Sequence, residues 1–170
     1  MRSPTSKNIN FKVNSTRGTN TQLIKDTVAA KKRTQGGKLM AYCYTKKTLK
    51  PFNETEQSTK EALKKRNFGI ITEIDAQKII KEKIGKDIPA YKILGTCNPN
   101  FAHQAITTEP NIGVLLPCNV LLRTEKEHTV ISAILPSVQL GKVENPKLRN
   151  LAEQVEHQLK EAVDEACQTR

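Results

Sequence analysis

Tryptophan is absent from the 170 residues, and aromatic side chains make up only 4% of them. Proteins that grip single-stranded nucleic acid need aromatic platforms for the bases, so this scarcity argues against that class. The four cysteines, Cys43, Cys97, Cys118 and Cys167, form no C-x-x-C and lack finger spacing. That removes the common structural zinc motifs, and an even count alone does not argue for disulfides. No apolar run approaches the roughly 20 residues of a membrane span. No apolar segment follows the basic N-terminus as in a signal peptide. There is no glycine-rich phosphate loop, no H-E-x-x-H and no G-x-S-x-G, so no cofactor or enzyme class is evident. The expectation is a soluble cytoplasmic protein with reduced thiols, with neither membrane nor nucleic acid as partner.

What is present is charge, unevenly distributed. The net charge is +11. Residues 1–39 carry nine basic residues and one acid, leaving 19 basic against 16 acidic residues in the remainder. The remainder is nearly balanced and makes no electrostatic case for an anionic partner. Residues 1–38 are polar and poor in apolar side chains, which predicts a disordered basic extension. Gln35-Gly36-Gly37 can also be encoded by a purine-rich AAGGAGGT, just before Met40. A ribosome-binding site translated by mistake reads that way, and the true start would then be Met40.

From residue 39 to 168 the pattern predicts one α+β domain. Leu39–Thr45 reads as a strand. A helix follows Pro51, with Asn53 and Glu56 as a capping box. Phe68–Ile74 reads as a strand, with Phe68, Ile70, Thr72 and Ile74 on one face. Asp75 caps the next helix, Ile79, Ile80 and Ile84 face inward, and Gly85 ends it. The lysines of this helix read as a solvated face. Tyr91–Cys97 is a third strand.

Asn98 caps a helix whose first residue is Pro99, and Phe101, Ala102, Ala105 and Ile106 form its buried side. Ile112 to Leu122 alternates without a break and predicts a long strand, bulged or bent at Pro117. Arg123–His128 is a polar hairpin loop, and Thr129–Leu135 returns antiparallel. Asn145 and Pro146 open a long final helix. Its Leu148, Leu151, Ala152, Val155, Leu159, Ala162, Val163 and Ala166 recur at spacings of three and four.

Two corners stand out: Cys97-Asn98-Pro99 and Pro117-Cys118-Asn119. Cys97 precedes a helix N-terminus, where unpaired N–H groups favour a thiolate, and His103 lies one turn on. Three readings fit. The corners can be structural, with the cysteines packing as small apolar groups. Cys97, Cys118 and His103 can bind a soft metal, or the two thiols can undergo reversible oxidation. A small ligand can sit between sheet and helix, held by Asn98 and Asn119. No third residue orients a Cys–His pair for hydrolysis.

Several stretches in order resemble a known family: Phe68-Gly-Ile-Ile-Thr-Glu-Ile-Asp75, Tyr91-Lys-Ile-Leu-Gly-Thr-Cys97-Asn98-Pro99, and Ile112-Gly-Val-Leu-Leu-Pro117-Cys118-Asn119-Val. They resemble the domain of unknown function number 302 over residues 39–167. The resemblance implies a TATA-binding-protein-like fold, in which a curved antiparallel sheet of about five strands carries helices, and association as homodimers. It implies no activity, and the fold gives no licence to infer DNA binding. Cys97, Asn98, Pro99, Pro117 and Cys118 match the family pattern. The functional expectation is a non-enzymatic binding or structural module with Cys97, Asn98, His103, Cys118 and Asn119 as its candidate site. The alternative is a thiol-redox or soft-metal protein using Cys97 and Cys118.

If the final helix lies across the sheet, Leu159→Asp combines lost burial with a buried charge. Urea unfolding should show a loss of roughly 3 kcal/mol or more.

Overall fold

Apolar residues at intervals of three and four give one side of a helix a continuous stripe that must be covered. Pro146–Cys167 is that helix, with Asn145 at its N-cap accepting from the Lys147 N–H at 3.1 Å. All eight of the predicted stripe positions are buried. What covers the stripe is an antiparallel sheet, seen in a computed structural model that describes residues 42–168. The readings of residues 1–38 as a basic extension and of Met40 as the start fall outside the described residues.

In chain order the elements are β1 (Cys43–Thr48), α1 (Phe52–Lys65), β2 (Gly69–Asp75), α2 (Ala76–Ile84), β3 (Tyr91–Cys97) and α3 (Pro99–Thr108). A 3-10 segment (Pro110–Leu115), β4 (Cys118–Glu125), β5 (His128–Ile134), α4 (Pro136–Gln139), a second 3-10 turn (Leu140–Lys142) and α5 (Pro146–Cys167) complete them. The five strands run in the order β1-β5-β4-β3-β2, every neighbour antiparallel. The fold is α+β, as the pattern predicts.

Alternation sorts the strand residues onto two faces. Leu94, Val120, Leu122, Ile131 and Ala133 form the main core with Ala62 and Leu63 of α1 and with Val155, Leu159 and Val163 of α5. A second, smaller core joins Ala105, Ile112, Leu148 and Leu151, and Phe101 packs against both. An ion network ties α1 to the sheet's margin. Glu56 meets Lys60 at 2.8 Å and Lys92 at 2.7 Å, and Lys60 meets Glu73 of β2 at 2.7 Å.

Several expectations need correction. β1 runs through Lys46 and Lys47 to Thr48, since lysines are well placed on an edge strand that must not recruit another. Asn53 and Glu56 form no capping box: α1 begins after Pro51 without a side-chain cap, and Glu56 is engaged by the two lysines. Phe68, Ile70, Thr72 and Ile74 do not share a face. A bulge between Ile70 and Thr72 shifts the register, so Ile70 pairs with Thr96 on the core side while Thr72 and Ile74 pair with Gly95 and Ile93 on the other.

The long strand from Ile112 is instead a 3-10 segment, and β4 starts only at Cys118. Pro110 and the Glu109 carboxylate, which accepts from the Asn111 N–H at 3.3 Å, open that segment as they would a helix. Pro117 therefore precedes the strand, with a cis bond to Leu116, rather than bulging its middle. The hairpin is tighter than predicted, because β4 and β5 pair through Glu125 and His128 and leave only Lys126 and Glu127 to turn. On α3, Ile106 is exposed rather than buried. The same holds for Ile79 and Ile84 of α2, a helix with no buried residue at all.

Gly95 sits where backbone and side chains meet most closely. A Cβ there would collide with Thr72 Oγ1 and lie 2.9 Å from Pro117 Cγ. Thr72 can turn aside, but the proline ring is rigid. Gly95→Ala should therefore destabilise the fold by about 1–3 kcal/mol in urea titration. Adding Thr72→Ala should recover part of that loss, as a non-additive pair.

Candidate functional site

The corner at Cys97 forms because a strand end meets a helix start. The Asn98 side chain accepts from the Asn100 N–H at 3.1 Å, and Pro99 takes the first helical position, where its missing N–H costs nothing. The Asn98 amide also donates to the Arg66 carbonyl at 3.3 Å, so the corner is tied to the end of α1. The other corner is brought alongside by the sheet. Thr96 lies directly opposite Cys118 on β4, which sets Cys118 beside the end of β3.

Cys97, Asn98 and Cys118 line one cavity of about 50 Å³. Phe68 and Val155 border it from the main core, and Ile112 and Leu151 from the smaller one. It is thus the unfilled seam between two apolar clusters. The small side chains of Ala102 and Ala152 at this seam leave the room. Sequence reasoning missed this, because both alanines read as ordinary stripe positions. The signal available was their size, set among leucines and phenylalanines. Gln139 and Leu140, from the turns before α5, also border the cavity, and nothing in the sequence pointed to them.

The polar groups here already have partners. Asn98 is engaged at both ends, Thr96 Oγ1 donates to the Gly69 carbonyl at 3.1 Å, and the Gln139 amide donates to the Leu115 carbonyl at 2.9 Å. Among the described residues no buried side-chain nitrogen or oxygen lacks a hydrogen bond.

His103 and Asn119 do not join the site. Both are exposed, His103 on the outer side of α3 and Asn119 on β4 with its side chain on the face opposite Cys118. Among the described residues no group of three or more His, Cys, Asp or Glu side chains could hold a metal ion. All four cysteines are free.

Burial, not the helix terminus, dominates the thiols. It raises Cys97 above its ordinary value of 9.0. It pushes Cys118 up to about 11, and the neighbouring Cys97 adds to that rise. The expected thiolate at the head of α3 is therefore outweighed by desolvation, which disfavours the charged form.

The family profile described as "Domain of unknown function DUF302" matches residues 44–166. Among solved structures the chain is similar to an "uncharacterized conserved protein DUF302" from Bacillus stearothermophilus. The two share 28% identity, the alignment covers 76% of this chain and 100% of the other, and the TM-score is 0.71. No curated protein matches the chain.

The raised Cys118 value sets a stability window. A thiol held protonated in the fold keeps its full contribution below about pH 9 and loses it as pH rises towards about 11. Over that interval Cys118 should account for about 2–3 kcal/mol of lost stability. Denaturation curves of the wild type and Cys118→Ala, compared across the interval, should diverge by that amount. Native-state alkylation of Cys118 should stay slow until the same range.

Proposed function

The chain belongs to the DUF302 family, and on that footing we propose that it is a non-enzymatic binding module, working in the cytoplasm, whose cavity takes a small apolar ligand. One observation carries the reading: the two corner motifs, far apart in sequence, line the same apolar cavity. A cavity needs roughly 10–15 Å³ to hold one water, and one lined by apolar groups stays dry and accepts apolar guests instead. At about 50 Å³ this one suits a ligand of few heavy atoms, or a larger one if α3 and α5 part. The two thiols add polarisable surface without demanding a hydrogen bond. Asn98 acts as a brace, because both ends of its amide are already engaged.

The rival reading makes Cys97 and Cys118 a thiol-redox or soft-metal pair. In its favour both residues border the one cavity. Against it, burial raises both thiols, and His103 stands apart in solvent. A two-thiolate site would have to overcome that desolvation.

Xenon under pressure is a suitable probe, followed by amide chemical shifts. The shifts should saturate and centre on residues lining the cavity. Ala102→Leu, which fills the seam, should abolish them while leaving the circular dichroism of the fold unchanged. Unsaturable shifts, or shifts indifferent to Ala102→Leu, would remove the ligand reading. Stoichiometric uptake of Cu(I), lost in Cys97→Ser, would put the soft-metal reading in its place.

A further inference from the structure

The walls of the cavity are held in different ways. The ends of β3 and β4 and the helices α3 and α5 carry the repeating bonds of ladders and helices. The chain between β5 and α5 cannot. There α4 is a single turn of four residues opened by Pro136, and the 3-10 turn after it has three. This connection is fixed at its two ends instead. The Leu135 N–H donates to the Tyr42 carbonyl at 3.1 Å. The Ser137 N–H and hydroxyl both donate to the Glu156 carboxylate of α5, the N–H at 3.2 Å. At the far end Asn145 caps α5. Between these anchors lie Gln139 and Leu140, which border the cavity, and the 3-10 segment brings Leu115 and Leu116 to the same cavity. Among the described residues one hydrogen bond joins the two segments: the Gln139 Nε2 donates to the Leu115 carbonyl at 2.9 Å.

We propose that residues 136–143 form a strap over the cavity, closed by the Gln139 bond, and that the ligand enters where that bond opens. The proposal rests on the ligand reading above. Gln139, Leu140, Leu115 and Leu116 are all half-buried, whereas Thr96, Leu151 and Ala152 are buried, so the strap lies on an edge of the cavity that faces solvent. The head of α3, with Phe101 and Ala102 half-buried, is a second such edge. Parting it would break both ties of Asn98, to the Asn100 N–H and to the Arg66 carbonyl. Parting the strap breaks one side-chain bond and lifts Leu140 from the smaller core, while the anchors at Leu135, Ser137 and Asn145 stay in place. The strap is the cheaper way in. Losing one neutral hydrogen bond shifts an open–closed equilibrium of this kind about two- to tenfold.

Cys118 borders the cavity, so its native-state reaction in the full chain reports access. Methyl methanethiosulfonate, a small neutral reagent, leaves a methylthio group on the sulfur and releases methanesulfinate. Peptide masses separate Cys118 from the other three cysteines. Gln139→Met keeps the length and removes the donor without adding charge. It should speed the modification of Cys118 about two- to tenfold at one pH. Opening of the strap exposes little surface, so the rate should barely change with urea below the unfolding transition. Ile131→Val, which weakens the main core away from the cavity, should leave the rate as it is in the wild type. A rate indifferent to Gln139→Met would overturn the proposal. So would a rate that climbs steeply with urea and rises as much in Ile131→Val, because the reagent would then enter by global unfolding. Saturable xenon shifts together with either of those results would keep the ligand and remove the strap. Unsaturable xenon shifts would remove the ligand itself, and the strap as its door, whatever Cys118 does.

Discussion

The burial of α5 against the sheet is the constraint on which the rest depends. Its eight stripe residues meet both clusters. Val155, Leu159 and Val163 close the main core, while Leu148 and Leu151 close the smaller one. Each buried side chain of this size is worth about 1.5–3 kcal/mol of transfer free energy, before the cost of ordering the chain is subtracted. The strands supply the matching face, and α1 lies beside α5 on it. Charge pairs then fix how the two helices sit, with Glu165 of α5 meeting Arg66 at 2.8 Å and Lys65 at 2.6 Å.

The cavity follows from this arrangement. One helix serves two clusters, and the join between them falls at the cavity that Ala152 of α5, Ala102 of α3 and the corner cysteines all line. Close packing is the rule in protein interiors, so a gap ringed by apolar side chains and thiols is a departure from it. The departure is confined: the nearby amide and hydroxyl groups all have partners, and only apolar surface is left unmatched. An apolar void beside fully paired buried side-chain nitrogens and oxygens, among the described residues, is the lining that the proposed apolar ligand would require.

The sequence made α5, the Asn98-Pro99 corner and the Asp75 and Gly85 ends of α2 legible, because each rests on local chemistry: a stripe, a cap, a left-handed glycine. The core strands were legible by alternation. What the sequence could not show was set elsewhere in the fold. The bulge at Ile70–Thr72 depends on β3, and the 3-10 path of residues 110–115 keeps the same alternating letters that a strand would have. In the candidate site, Cys97 and Cys118 border one cavity, because both corners end at the same margin of the sheet. His103 does not, because its place on α3 turns it to solvent. The exposure of Ile79 and Ile84 was illegible for a related reason: periodicity says that a stripe wants cover, and says nothing of who provides it.

The crowding around Gly95 has a consequence for how such a chain can change over generations. Thr72 comes from an edge strand and Pro117 from the approach to a central one, yet both lean on the same missing side chain. Drift at any one of the three is then not independent of the others. A lineage that acquires a side chain at 95 needs Thr72 turned aside or replaced by something smaller, and favours something other than a ring at 117. The edge strand and the second cysteine corner are thereby bound to diverge together.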